Sequence, residues 1–324
     1  MANILNTKIL ITGGAGFIGC NLARYFVTKA YDVVVLDNFS TGFKHNIADL
    51  LSLSNFKLIE GDITDYDTCL KATEGATYVL HHAALGSVTR SIAFPLATNK
   101  VNVEGFLNVM QACVANKVKR FIYASSSSVY GSDATMPKVE HITGNLLSPY
   151  AATKKANEMY ADVFSRTYNL ETVGLRYFNV FGDYQNPLGQ YAAVIPLFIQ
   201  SVLKNESPII FGDGENTRDF TYVQNVVQAN VCAIEADMSA QQSIVCNVAY
   251  GSTISINNLF TTIAKILNVT NIQPTYHPPR KGDIKDSYAN ISLAKKLLNY
   301  SSIINVEDGL KRTVAFYQSH KTQY

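Results

Sequence analysis

In Ser148-Pro149-Tyr150-Ala151-Ala152-Thr153-Lys154 a phenol and an amine stand four residues apart, behind a serine and a proline suited to start a helix. At that spacing both side chains share one helical face. A tyrosine is a poor base because its pKa is about 10, so taking a proton from a hydroxyl near neutral pH requires a phenolate stabilised by positive charge. Lys154 supplies one such charge, and each unit of lowering takes about 1.4 kcal/mol of preference for the phenolate. Upstream, Ala124-Ser125-Ser126-Ser127-Ser128-Val129-Tyr130-Gly131 closes an apolar run with four hydroxyls. At the carboxyl end of a parallel strand such a hydroxyl bonds a reacting oxygen and relays its proton to the tyrosine. Taken singly, the two motifs also read as an exposed aromatic beside a solvated lysine and as a polar turn.

A third constellation gives these groups a ligand. Thr12-Gly13-Gly14-Ala15-Gly16-Phe17-Ile18-Gly19 follows the first apolar run and holds glycines at 13, 16 and 19 and at 14, 16 and 19. Glycine there lets the chain turn sharply, approach a pyrophosphate without a Cβ in the way, and seat a helix close to the strand, whose free N–H groups then face the phosphates. Eighteen residues past Gly19, Asp37 places a carboxylate where an adenosine ribose offers two hydroxyls. It repels a 2'-phosphate, which predicts NAD rather than NADP. Asp62 and Ala83-Ala84 follow the next two apolar runs at the same edge of the expected sheet. Adjacent His81 and His82 point to opposite faces of a strand and read as structural, and no metal is expected.

The elements that must carry these groups alternate. Short apolar runs at 8–12, 32–36, 56–59, 77–80, 120–124 and 171–177 are separated by helical patterns, which predicts a doubly wound parallel sheet of the Rossmann type. Val103, Leu107, Met110 and Val114 form an apolar stripe at helical spacing. After about residue 180, Gly-, Asn-, Asp- and Pro-rich loops enclose helical stretches at 194–204 and 256–267. The expected division is therefore a NAD-binding domain at 1–178, carrying the serine, tyrosine and lysine, and a smaller α/β substrate-binding lobe at 179–324.

Composition narrows the remaining classes. The chain has 324 residues, 47% hydrophobic and 16% charged, with a net charge of +2 and no sustained basic stripe, so nucleic acid is excluded as a partner. Five cysteines form no CxxC pair and read as reduced, buried thiols. No apolar run reaches bilayer length and no signal-peptide pattern opens the chain, so a cytoplasmic protein without membrane contact is expected.

Together TGGAGFIG, LDNFSTG, SSSSVYG, SPYAATK and LRYFNVFG resemble the extended short-chain dehydrogenases, over about residues 8–309. Within that superfamily the chain is similar to the UDP-hexose 4-epimerases, above all the bacterial group that interconverts UDP-N-acetylglucosamine and UDP-N-acetylgalactosamine. The resemblance implies that Ser126 is the catalytic serine, Tyr150 the base and Lys154 its partner. It implies that NAD stays bound, accepts a hydride from sugar C4 and returns it to the other face of the keto sugar. Cofactor contacts would come from Gly13, Gly16, Phe17, Ile18, Asp37, Asn38, Ser40, Thr41, Gly42, Asp62, Ile63, Ala83, Ala84 and Tyr177, with Tyr150 and Lys154. Substrate contacts would come from Ser87, Arg90, Ser126, Ser127, Ser128, Asn179, Ala193, Val194, Gly212, Arg218, Arg280, Asp283 and Ser287.

Two features bear on the sugar. Gly86-Ser87-Val88-Thr89-Arg90-Ser91 resembles a loop of the N-acetyl-preferring group, and Ser287 stands where members restricted to plain hexoses carry a bulky tyrosine. A 4,6-dehydratase on the same frame needs an acid and a base where Ser127 and Ser128 stand. Another NAD-dependent nucleotide-sugar enzyme, such as a decarboxylase, or a non-catalytic NAD-binding regulator are the alternatives. The family's pairing through two helices makes a homodimer the expected assembly.

Overall fold

A computed structural model describes residues 7–188, 193–279 and 285–320. Its centre is a parallel sheet built from β1 (Lys8–Thr12), β2 (Asp32–Asp37), β3 (Phe56–Glu60), β4 (Tyr78–His81), β5 (Arg120–Ser126) and β6 (Glu171–Tyr177). Further strands are β7 (Val180–Phe181), β8 (Ile209–Phe211), β9 (Thr217–Arg218), β10 (Thr221–Tyr222), β11 (Ser243–Val248), β12 (Ile254–Ser255), β13 (Thr275–His277) and β14 (Asp286–Ser287). The seven-stranded order is β11-β6-β5-β4-β1-β2-β3, the doubly wound arrangement, with its reversal between β1 and β4. Continuous apolar strands fit this position because helices cover both faces; Ile9, Leu10 and Ile11 are all wholly buried.

The helices are α1 (Phe17–Thr28), α2 (Tyr66–Thr73), α3 (Val88–Ala93), α4 (Pro95–Asn99), α5 (Gly105–Ala115) and α6 (Pro149–Tyr168), then α7 (Val194–Leu203), α8 (Val223–Glu235), α9 (Ile256–Ile266), α10 (Ser292–Leu298) and α11 (Val306–Ser319). The start of α6 follows from local chemistry. Ser148 caps it by accepting the Ala151 N–H at 3.1 Å, Pro149 opens the first turn, and Asn169 ends it in the left-handed conformation at φ 56°. On α5 the core face is Phe106, Val109, Met110 and Cys113, and the expected stripe is displaced: Val103 precedes the helix, while Leu107 and Val114 are only half-buried.

A linear cut at residue 178 does not separate the layers in space. β11 pairs with β6 from Ser243↔Thr172 to Val248↔Tyr177, and α8 packs against α1, so segments far along the chain complete the first core. A sequence-local division misses this because strand pairing is decided by exposed sheet edges, not by chain order. The second core gathers Phe181, Phe198, Tyr222, Leu259 and Tyr317 around α7, α9 and α11.

Candidate active site

The glycine turn sits where the strand order reverses. Gly13 has φ +70° and donates its N–H to Leu36 O at 2.8 Å; a Cβ there would lie 2.6 Å from Ala83 N. Gly16 precedes α1 with no side chain capping the helix, so first-turn N–H groups face open space. A cavity beside the turn is lined by Gly13, Gly16, Asp37, Asn38, Ser40, Thr41, Asp62, Ile63, Ala83 and Ala84. Gly42 stands behind it, where a Cβ would meet the Ala15 carbonyl carbon at 2.8 Å.

The Asp37 carboxylate does two things. Its Oδ2 accepts the Ala15 N–H at 2.9 Å and its Oδ1 the Phe39 N–H at 2.8 Å, which clamps the end of β2 to the glycine turn. Burial raises its pKa and these two bonds oppose the rise. Asp62 is tied to Asn38 Nδ2 at 2.7 Å and to the Thr64 N–H and hydroxyl, both at 2.8 Å. Cleft shape, amide donors at a helix start and carboxylates at the ribose position fit a dinucleotide.

The reactive groups meet in an adjoining cavity of about 430 Å³, whose wall includes Phe17, Ile18, Arg90, Ser126, Tyr150, Lys154, Tyr177 and Asn179 together with Gly13 and Gly16. Ser126 Oγ accepts both the Ser128 N–H at 3.2 Å and the Ser128 hydroxyl at 2.9 Å. Both lone pairs are thereby used, which leaves the serine proton free to be donated, and Tyr150 lines the same cavity wall. Burial pushes the Tyr150 pKa up and the Ser126 bond pulls it down. Lys154, 3% exposed, donates to Ala124 O at 2.7 Å and lies 5.8 Å from the Tyr150 ring centroid. Burial lowers its pKa to about 8, against an opposing push from Glu158. Ser127 opens the single turn after β5 without lining the cavity, and Ser87, at φ 101°, caps α3 by accepting the Arg90 N–H at 3.2 Å.

Three contributions were not foreseen. His82, read as structural, also lines the cavity; its Nε2 is 2.9 Å from the Tyr177 hydroxyl. Asn230 donates to that same hydroxyl at 2.9 Å, and burial keeps His82 uncharged, with its pKa lowered to about 3. Asn102, buried, accepts the Leu85 N–H at 2.8 Å and donates to Thr153 at 3.2 Å, pinning the loop after β4 to α6. Glu158 forms a buried pair with Arg176 under the reactive residues. Of these, only Glu158 left a trace in the sequence, since it repeats the spacing of Tyr150 and Lys154 once more.

A third cavity, about 690 Å³, opens beyond Asn179 and is walled by Ala193, Val194, Phe198, Phe211, Arg218 and Phe220 among others. Asn179 borders both large cavities, and its amide donates to Asp219 O at 3.0 Å. Arg218 donates to Thr217 O at 2.8 Å and Lys285 O at 3.0 Å. Ser287 pairs with Arg218 in register, and Gly212 turns after β8 at φ 81° with its N–H on His277 O; neither lines the cavity. Arg280 and Asp283 lie outside the described residues. Among the described residues no group of three or more His, Cys, Asp or Glu side chains is placed to hold a metal ion.

Known proteins share this frame. A model of the NAD dependent epimerase/dehydratase family matches residues 9–249. The UDP-glucose 4-epimerase of Mycolicibacterium smegmatis is 33% identical over 96% of this chain and 99% of its own. The UDP-N-acetylglucosamine 4-epimerase of Methanobrevibacter ruminantium, solved with UDP-N-acetylmuramic acid, is 39% identical with a TM-score of 0.90 over 97% of this chain and 98% of its own. The UDP-glucose 4-epimerase of Thermotoga maritima, solved with UDP-glucose, is 35% identical with a TM-score of 0.90 over 97% and 99%.

Proposed function

Because this chain belongs to the NAD-dependent epimerase/dehydratase family, we propose that its site acts on acetylated nucleotide sugars, interconverting UDP-N-acetylglucosamine and UDP-N-acetylgalactosamine. The chain is an NAD-dependent UDP-sugar 4-epimerase, and the proposal concerns the sugar and the residues that handle it. The observation that carries the reading is that Ser126, Tyr150 and Lys154 wall one cavity, which the glycine turn also borders. The sugar assignment is supported by the 39% identity to an enzyme named for UDP-N-acetylglucosamine.

Gly13, Gly16 and the first turn of α1 would hold the cofactor diphosphate, and Asp37 would serve its ribose. When bound, NAD supplies reversible hydride acceptance at sugar C4. The residues of the chain then manage one proton. Tyr150, as the phenolate, removes it from the C4 hydroxyl and becomes the neutral phenol; beforehand the Ser126 hydroxyl, by donating to the Tyr150 oxygen, stabilises the phenolate. Lys154 is close enough to favour that anion over the neutral phenol, offsetting the burial that otherwise disfavours it. For the hydride to return to the opposite face, the sugar has to turn over while the nucleotide stays fixed. The larger cavity, with its many apolar side chains, suits the nucleotide, and the smaller one, where Ser126 and Tyr150 stand, suits the sugar.

The expected assembly draws support from a large apolar surface. Ile92 is 61% exposed, Phe94 61%, Leu96 85% and Met159 63%, on α3, α4, α6 and their connections, which pack against one another. A patch of this kind marks an interface, and a second copy of the chain is its proposed cover. All five cysteines are free and buried, which suits the reducing cytoplasm proposed as its location; among the described residues no helix is long and apolar enough to cross a membrane.

Purified protein incubated with separate UDP-sugars, with products separated by chromatography and identified by the proton couplings at C4, tests the function. Interconversion of the acetylated pair is expected. Turnover confined to plain hexoses or to uronic acids would overturn the sugar assignment, and loss of water from the sugar would overturn the epimerase mechanism.

A further inference from the structure

Three consecutive residues at the end of β5 meet three residues of one α6 face. Ala124 O receives the Lys154 ammonium at 2.7 Å, the Ser125 hydroxyl donates to Glu158 Oε1 at 2.7 Å, and Ser126 shares a cavity wall with Tyr150. The helix residues are spaced four apart, so the strand end and the helix face are stitched together in a fixed register. The mechanism uses two of the stitches. The third is the most buried: Glu158 is 5% exposed and Arg176 2%, and they form a forked pair, Nε to Oε1 at 2.8 Å and Nη2 to Oε2 at 2.9 Å. Arg176 is fastened in turn to Glu140 O at 3.0 Å and lies 4.9 Å over the Tyr130 ring.

We propose that Glu158, fixed by Arg176, is a positioning residue that locks α6 onto the serine strand and supplies the negative charge that keeps the Lys154 ammonium protonated. The inference rests on the reading of Lys154 as the partner of Tyr150. Among the described residues the buried Lys154 ammonium, bonded to one carbonyl, is in no ion pair, and the groups named around it offer one permanent anion. Tyr150 on α6 carries charge only while it stands as the phenolate, His81 and His82 at the end of β4 are held uncharged by burial, β5 presents a carbonyl, and β6 presents the cation Arg176. Glu158 itself faces Arg176, Ser125, the Lys155 ammonium at 3.3 Å and the neutral Tyr123. Its carboxyl pKa is lowered, the bond and charge of Arg176 outweighing burial, so the charge is present across the working pH range.

The test is the pH profile of kcat/KM, with bound NAD quantified in each preparation. In the unaltered enzyme the alkaline limb reports loss of the ammonium. Glu158→Gln removes the anion and leaves Arg176 unbalanced, so the limb is expected to move down by about one pH unit. Arg176→Gln leaves the anion unbalanced, so the limb is expected to move up, and this variant carries the test if Glu158→Gln does not fold. Ser125→Ala keeps both charges and should leave the limb in place. A uniform fall in rate at every pH, or limbs that move the same way in both charge variants, would overturn the inference and reduce the pair to packing. An alkaline limb that survives Lys154→Met would instead overturn the reading of Lys154 on which it rests.

Discussion

Two glycines of the same turn do separable work, and alanine substitutions resolve them. A Cβ on Gly19 would lie 2.1 Å from Gly13 O and 2.7 Å from Gly14 Cα, both backbone atoms. The turn cannot retreat, because Gly13 is pinned to Leu36 O at 2.8 Å, so α1 has to shift. Its inner face, Cys20, Leu22 and Ala23 at 0% exposure and Phe26 at 1%, is fully packed and resists the shift. Overpacking of this severity costs about 3 kcal/mol, and the better helix propensity of alanine returns about 1 kcal/mol. The net loss of about 2 kcal/mol lowers Tm by roughly 4 °C. NAD affinity should fall at least about tenfold, because the amide donors move with the helix. Gly16 differs. Its backbone, φ −77° and ψ 173°, suits any residue, and an added Cβ meets only Gly13 O at 3.2 Å before facing both cavities. Gly16→Ala should leave the Tm of cofactor-free protein within about 1 °C, a surface-like change, yet weaken NAD by a similar factor. Calorimetry of cofactor-free protein and fluorescence titration with NAD measure both. A Gly19→Ala protein as stable as the parent, or a Gly16→Ala protein that binds NAD normally, would refute the reasoning.

Other consequences follow from the same geometry. Tyr150→Phe should lower kcat by about 10²- to 10⁴-fold while NAD still co-purifies, and a rate near that of the parent would remove the phenol from the chemistry. With the Lys154 pKa lowered to about 8, its charge is present below that pH and lost above it. kcat/KM should therefore decline about tenfold per unit beyond pH 8 to 9, in a profile recorded at saturating NAD. Ser287→Tyr should depress turnover of acetylated sugars more than that of plain ones, and equal effects in paired assays would dissociate Ser287 from sugar choice. Leu96→Glu should convert a dimer to a monomer in sedimentation velocity, since that side chain is 85% exposed within the apolar patch.

Much of this molecule is written in short-range pattern. The apolar runs, the glycines that a tight strand-to-helix turn requires, the serine and proline at the start of α6, and the four-residue spacing of Tyr150 and Lys154 all act within a few residues of themselves. Steric and hydrogen-bonding rules at that range do not depend on the rest of the chain, so sheet type and cofactor class were legible. Tertiary structure alone decided which partners these groups meet. It brought β11 in from beyond residue 240 to extend the sheet, gave both Asp37 oxygens to backbone amides, and drew His82 to Tyr177 across the intervening strand. It also set β5 against α6 so that Ala124, Ser125 and Ser126 oppose Lys154, Glu158 and Tyr150. Such pairings depend on the relative placement of elements separated by long connections, which packing of the whole core fixes and no local spacing encodes.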